Sequence, residues 1–173
     1  MRSLRSWTSS SKLAAASAVV AGQAPPKKKT ASANARCRTQ PALLPLDQLA
    51  PATIFTMVDL GPRIIAVTHH SVIAGPYHRN GKAILDIHHA FDGSPARFQA
   101  IAAQHGATYL LICPGFPEGT IYQQRSPNGF YARLMHKESF PFLTPVKLNY
   151  PGDLPYQLYR IERGVGSSTK KSG

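Results

Sequence analysis

The chain has 173 residues, of which 43% are hydrophobic, and a formal net charge of +12. This length fits one domain with tails, since domains usually run to roughly 100–200 residues. Residues 1–46 hold eight Lys or Arg and no acidic residue, and Lys170 and Lys171 add two more, so the remaining 10 of 20 basic residues face all 8 acidic ones. This nearly balanced middle argues against a dedicated nucleic-acid-binding fold, which would concentrate Lys and Arg on a folded face.

Residues 1–41 are interpreted as a basic leader and linker rich in Ser, Ala and Pro. A basic stretch precedes an Ala/Val run at 13–22, which is too short to span a bilayer because that takes about 20 apolar residues. The order is that of a secretory signal, with an organelle transit peptide or a plain disordered leader as alternatives. Residues 25–41 have the composition of a linker and 164–173 that of a disordered tail. Such basic tails suit weak, salt-sensitive contact with anionic surfaces.

The first part of the predicted single domain, residues 42–163, alternates short strands with turns. Residues 53–58 form a β-rich run that meets a turn at 59–62, which predicts a buried strand. A second strand is predicted over residues 71–74. Residues 80–91 carry apolar side chains at near-helical spacing and predict a helix.

The clearest predicted element is the helix that follows Ser94. Ser94 can cap it, Pro95 suits its first position, and apolar residues then recur three and four positions apart. Gly106 ends this helix, and residues 107–112 give the strongest strand prediction. This order of helix, glycine and strand is what a right-handed α/β unit requires.

The C-terminal part predicts a short helix over 128–136 and an antiparallel pair of strands over 146–148 and 156–161. Together these elements predict the α/β class: a small mixed sheet of three to five strands with packed helices, flanked by disordered tails. Cys37 and Cys113 form no CxxC pair, so each is interpreted as a free thiol, with Cys113 a small buried side chain at a strand end.

Residues 58–62, 68–80 and 106–114 together resemble the C-terminal soluble domain of bacterial polytopic proteins related to lipid-linked-sugar (GT-C type) glycosyltransferases. In that family a strand ends in an Asp-x-Gly turn, a Thr-x-His/Arg strand follows, and a helix leads into a Gly-x-x-Tyr-hydrophobic strand. The most specific stretch is Pro-Tyr-His-Arg-Asn at 76–80. A more distant similarity is to the catalytic subunits of oligosaccharyltransferases.

The resemblance implies an accessory domain, without catalytic activity in isolation, from a truncated, split or remnant copy of such a protein. Met57 and Val58 stand where the oligosaccharyltransferases place two tryptophans, so their peptide-acceptor contacts do not carry over. The family's catalytic carboxylates belong to a membrane half that this sequence lacks. The implied partners are a polytopic membrane subunit and a lipid-linked sugar or acceptor, with no cofactor. The implied location is periplasmic or membrane-associated, and cytoplasmic if the leader is not a signal.

The candidate ligand-binding residues lie at one strand end and in one loop. Asp59 ends the first predicted strand, where ligand crevices open in α/β sheets, although an aspartate also caps turns of this kind. The loop at 77–80 combines an aromatic ring, an imidazole, a guanidinium and an amide, which suits a sugar or a phosphate. Arg79 can grip a phosphate with two hydrogen bonds, and a structural bridge to Asp59 or Asp86 is the alternative. The ligand-binding set is therefore Asp59, Tyr77, His78, Arg79 and Asn80.

Five of the seven histidines lie between His69 and His89. A zinc site needs three or four converging ligands, and imidazole is the commonest donor. Adjacent histidines point apart on a strand and sit about 100° apart on a helix, so at most one of each pair is expected to ligate. No HExxH motif occurs. We therefore predict no metal site, with His69, His78 and His88 as the alternative ligand set.

Two other classes of function stay open. A small secreted His-rich metal-binding enzyme predicts zinc in the purified protein. A basic-tailed nucleic-acid or lipid-surface binder predicts salt-dependent association that vanishes without residues 1–38. The sequence contains no GxSxG, P-loop or GxGxxG motif, so nucleophilic catalysis has no support.

Overall fold

The computed structural model describes Cys37 and residues 39–162, with the backbone alone at His78. Residues 1–36 and 38 of the leader predicted over 1–41, and the predicted tail at 164–173, lie outside the described residues. The helices are α1 Gln40–Leu43, α2 Gly61–Val67, α3 Gly81–Asp92, α4 Pro95–Gln104, α5 Pro117–Arg125 and α6 Phe130–Met135. The strands are β1 Thr53–Phe55, β2 Ser71–Val72, β3 Tyr109–Ile112, β4 Leu143–Pro145 and β5 Gln157–Ile161. Short 3₁₀ helices occupy Leu44–Gln48 and His78–Asn80.

The five strands form one mixed sheet in the order β2-β1-β3-β5-β4. Strands β2 and β3 both run parallel to β1, and β5 runs antiparallel to β3 and β4. The predicted α/β class with a small mixed sheet is therefore confirmed. The terminal antiparallel pair also forms, but β5 pairs with Leu143–Pro145 instead of 146–148. Leu143 is buried there, and Pro145 is tolerated because β4 is an edge strand.

Helix α4 forms as the sequence predicts. The Ser94 hydroxyl accepts a hydrogen bond from the Arg97 amide at 3.2 Å, which satisfies one of the free donors at the helix start. Gly106 follows the helix with a φ of +63°, a left-handed conformation that glycine adopts without a steric penalty. The Phe98 ring of α4 lies 4.9 Å from that of Phe55 in β1, so this helix packs directly on the parallel strands.

The core combines a fully buried central strand with an aromatic cluster on one side. Leu110, Leu111 and Ile112 of β3 have no exposed surface, which explains why that strand reads as a continuous apolar run. Phe98 stacks on Phe130 with ring centroids 4.0 Å apart, so α4 and α6 share this cluster. Each buried phenylalanine contributes about 1.5–3 kcal/mol of transfer free energy.

Cys37 and Cys113 form a disulfide across a sequence separation of 76, with their Cα atoms 5.9 Å apart. The interpretation of each cysteine as a free thiol is therefore wrong. Sequence spacing does not show which distant cysteines a fold brings together. The prediction of a buried Cys113 at a strand end is confirmed, because it directly follows β3 with 3% exposure. Cys37 is also buried, so the core includes a residue from the segment read as linker.

Within residues 39–162, every helix is too short or too polar to cross a membrane.

Candidate functional site

Glu118, a buried carboxylate in the first turn of α5, holds the chain that leaves the carboxyl end of β1. Sequence reasoning missed this helix and its carboxylate. Two signals could have found them, because Pro117 stands at the first helical position and Glu118 adds an acidic residue to the first turn. Glu118 is only 8% exposed, so its oxygens depend on protein donors.

Three donors converge on the Glu118 carboxylate. Oε1 accepts from the Val58 amide at 3.0 Å, and Oε2 accepts from the Asp59 amide at 2.9 Å. The Tyr122 hydroxyl, one helical turn further along α5, donates to Oε1. Glu118 therefore satisfies two backbone amides beyond the end of β1 and fixes the Asp-x-Gly turn, a role that leaves it little capacity for other chemistry.

The network extends from Tyr122 to His88 on α3. The Tyr122 oxygen lies 3.0 Å from His88 Nδ1, within hydrogen-bond distance. Burial, then the hydrogen bond to Glu118, raises the pKa of the Tyr122 hydroxyl far above its usual 10.0. Arg125 lies over the Tyr122 ring and pairs with Asp92 at 2.5 Å. These contacts bind α3 and α5 to the end of β1.

The Asp59 turn is in close contact with the chain that leaves β2. A Cβ atom on Gly61 would collide with the carbonyl oxygen of Ala74, so this position requires glycine. A Cβ on Gly75 would lie 3.2 Å from Pro62 Cγ, which shows a second close approach of the same two segments. The Asp59 side chain itself is exposed. The turn therefore presents a carboxylate on a backbone that is fixed from two sides.

The predicted loop begins at this contact. The Tyr77 ring approaches Gly75 closely, since a Cβ there would lie 3.0 Å from Tyr77 Cε2, yet 54% of Tyr77 is exposed. The 3₁₀ helix His78–Asn80 then leads into α3, with Arg79 exposed and Asn80 partly exposed. The structure thus places the Asp59 turn and the start of the loop side by side.

The alternative of a structural bridge from Arg79 has no counterpart in the part of the chain that the structure describes, where Arg79 and Asp59 form no ion pair. Asp86 pairs instead with Lys82 at 3.1 Å and with His105 at 2.9 Å. The hydrogen bond from His105 is the main cause that lowers the pKa of Asp86.

The histidines belong to different networks. His88 contacts Tyr122, whereas His69 lies before β2 and contacts Asp47. His69 and His70 sit in a bend, not in a strand or helix, and their rings approach to 4.5 Å. The expectation that adjacent histidines diverge therefore does not apply at this pair. Among the described residues, the group able to hold a metal ion is Asp47, His69 and His70.

No protein-family model and no curated protein sequence matches this chain. Its fold is similar to a solved structure, the C-terminal globular domain of oligosaccharyltransferase from Archaeoglobus fulgidus. The TM-score is 0.53 at 12% identity, and the match covers 72% of this chain and 97% of the archaeal domain. The fold is thus of the class seen in that C-terminal globular domain. At this identity the similarity establishes the fold alone.

Proposed function

We propose that this chain is an accessory, non-catalytic domain of a GT-C-type membrane glycosyltransferase, and that it helps to bind a glycan or an acceptor. The observation that carries the proposal is the contact between the Asp59 turn and the start of the 77–80 loop. Through this contact the backbone of the turn lies beside Gly75 and Tyr77, and Asp59, Tyr77 and Arg79 are each exposed, which supports a shared binding surface.

Each side chain suits one part of a lipid-linked sugar. The Tyr77 ring offers an apolar face on which a sugar ring can stack, and the Asp59 carboxylate can accept hydrogen bonds from sugar hydroxyls. Arg79 can donate two parallel hydrogen bonds to a phosphate. The Glu118 network supports this role because it holds the Asp59 backbone before any ligand arrives, and a preorganised site loses less entropy on binding.

We also propose a polytopic membrane subunit as the partner and the periplasm as the location. The fold similarity supports the first, since the archaeal domain belongs to an oligosaccharyltransferase. The Cys37–Cys113 disulfide supports the second, because disulfides persist in oxidising compartments such as the periplasm.

Nuclear magnetic resonance titration of the ¹⁵N-labelled full chain with farnesyl-pyrophosphoryl-N-acetylglucosamine tests the site. We expect the amide signals of Asp59 and of residues 77–80 to shift together. Tyr77→Ala and Arg79→Ala should each weaken binding by about tenfold or more, as expected for a lost stacking contact or charged hydrogen bond. Ile121→Ala, at a side chain with the same 54% exposure as Tyr77, is the matched control.

Farnesyl pyrophosphate without the sugar separates the two halves of the site. Arg79→Ala should weaken both ligands, whereas Tyr77→Ala should weaken only the ligand that carries the sugar. Absence of binding, or equal effects of Tyr77→Ala and Ile121→Ala, would contradict the proposal.

A further inference from the structure

A second polar cluster lies at the opposite, amino ends of the parallel strands. Asp47 belongs to the 3₁₀ helix Leu44–Gln48, which precedes β1, and His69 and His70 directly precede β2. The His69 amide donates to Asp47 Oδ1 at 3.0 Å, so the fold fixes this carboxylate against the bend. One potential ligand atom from each of the three residues lies within 4.8 Å of the other two.

Backbone carbonyls determine which nitrogen of each ring carries the proton. His69 Nε2 lies 2.8 Å from the Leu49 oxygen, and His70 Nε2 lies 2.9 Å from the Leu46 oxygen. A carbonyl oxygen only accepts, so both Nε2 atoms must donate, and each neutral ring keeps its lone pair on Nδ1. Histidines that bind metals are commonly oriented in this way, with the second nitrogen donating to a carbonyl.

The Nδ1 atoms of the two rings point to acceptor-rich or unpartnered surroundings. His70 is 2% exposed, and its Nδ1 has no hydrogen-bond partner among residues 39–162. His69 Nδ1 lies 3.3 Å from Asp47 Oδ1, so in the neutral ring described above its lone pair faces a carboxylate oxygen. A cation between these acceptors would satisfy all of them.

We infer that Asp47, His69 and His70 bind one Zn²⁺ ion, the first two residues through Oδ1 and Nδ1 and His70 through its unpartnered Nδ1. Tetrahedral zinc bonds of about 2.0–2.1 Å place neighbouring ligand atoms roughly 3.4 Å apart. The Asp47–His69 distance of 3.3 Å already meets this requirement. Two imidazoles select zinc or a similar transition metal over Mg²⁺ and Ca²⁺, which prefer oxygen ligands.

Burial gives the site one closed and one open side. His70 is buried and forms the closed side, whereas the side chains of Asp47 and His69 are each 40% exposed and allow an ion to enter. Three protein ligands leave a fourth position for water or another ligand, as in open zinc sites. This site is independent of the proposed glycan-binding region, which lies beyond the other ends of the strands.

Isothermal titration of the chelator-treated full chain with ZnCl₂ tests the inference. We expect one Zn²⁺ per chain at this site, with Asp47→Asn and His69→Ala each weakening binding at least about tenfold. Asp153→Asn and His89→Ala, which replace the same residue types at exposed positions outside the cluster, should keep the affinity. Circular dichroism confirms that the variants fold.

Two kinds of spectrum report on how Asp47, His69 and His70 would coordinate the ion. Co²⁺ in the same chain should show the visible absorption of a four-coordinate ion, and Asp47→Asn should abolish it. Histidine ¹⁵N spectra of the metal-free chain should show His70 protonated at Nε2, and Zn²⁺ should shift its Nδ1 signal. Absence of Zn²⁺ binding, or an equal affinity in the cluster variants and their controls, would overturn the inference.

Discussion

The two ends of the parallel strands use similar polar residues in opposite ways. At the carboxyl ends, the Glu118 carboxylate accepts from three donors and fixes the turn at Asp59. At the amino ends, His69 Nδ1 lies 3.3 Å from Asp47 Oδ1, and the buried His70 Nδ1 has no partner among the described residues. A saturated buried carboxylate holds a fold together, whereas a cluster of acceptors short of donors is ready for a cation.

The largest effect is expected at the carboxyl ends. Glu118→Ala leaves the buried Val58 amide, the part-buried Asp59 amide and the buried Tyr122 hydroxyl without their acceptor, and an unsatisfied buried donor costs about 1–3 kcal/mol. We therefore expect a loss of about 3–5 kcal/mol in the free energy of unfolding, measured by urea denaturation. Glu138→Ala removes an exposed carboxylate paired with Arg133 and should change stability little. Equal losses of stability in the two variants would contradict a specific structural role for Glu118.

The disulfide adds a second constraint beside the same strand ends. Replacing both Cys37 and Cys113 with serine should lower the free energy of unfolding by about 2–4 kcal/mol, because the unfolded chain regains the freedom of a long loop. Urea denaturation with and without dithiothreitol measures this. The reductant should destabilise the natural chain and leave the double variant unchanged, and an insensitive natural chain would contradict the disulfide.

A smaller effect is expected at alkaline pH, where the free energy of unfolding should fall because Tyr131, near Glu118, loses its proton less readily in the folded chain. Burial, and secondarily the nearby Glu118, raises the pKa of Tyr131 from 10.0 to about 12. Since the unfolded chain loses this proton first, the stabilisation is complete below pH 10 and is lost as pH rises toward 12. The slope is about 1.4 kcal/mol per pH unit for each such tyrosine. Tyr131→Phe should reduce the slope in urea denaturation, with Tyr77→Phe, at an exposed ring, as control; an unchanged slope would refute this account.

The smallest effect is expected at the amino ends. Without metal, Asp47→Asn should change the free energy of unfolding by no more than about 0.5 kcal/mol, because this carboxylate is 40% exposed. Added ZnCl₂ should raise the melting temperature of the natural chain but not of the variant, since a ligand stabilises only the state that it binds. A large loss in the free energy of unfolding of the metal-free variant would instead show that Asp47 stabilises the fold at the amino ends of the strands.

The elements with complete local signals were predictable. Ser94 and Pro95 begin α4, Gly106 ends it, and the apolar run before Cys113 forms β3. Helix α5 was missed although Pro117 and Glu118 signal its start, because its apolar positions are too few to show a helical face. The first strand of the terminal antiparallel pair lies three residues earlier than predicted, because Leu143 is buried there and the local pattern does not show this burial.

The sequence by itself determined the α/β class, the capped helix and the buried central strand, because periodicity, caps and turn residues act within a few positions of one another. Only the tertiary structure decided that Cys37 meets Cys113, that Glu118 holds the Asp59 turn, and that Asp47 joins His69 and His70. These contacts join segments about 20 to 80 residues apart. The packing of the helices on the sheet decides which of these residues meet, and the local sequence pattern does not show this packing.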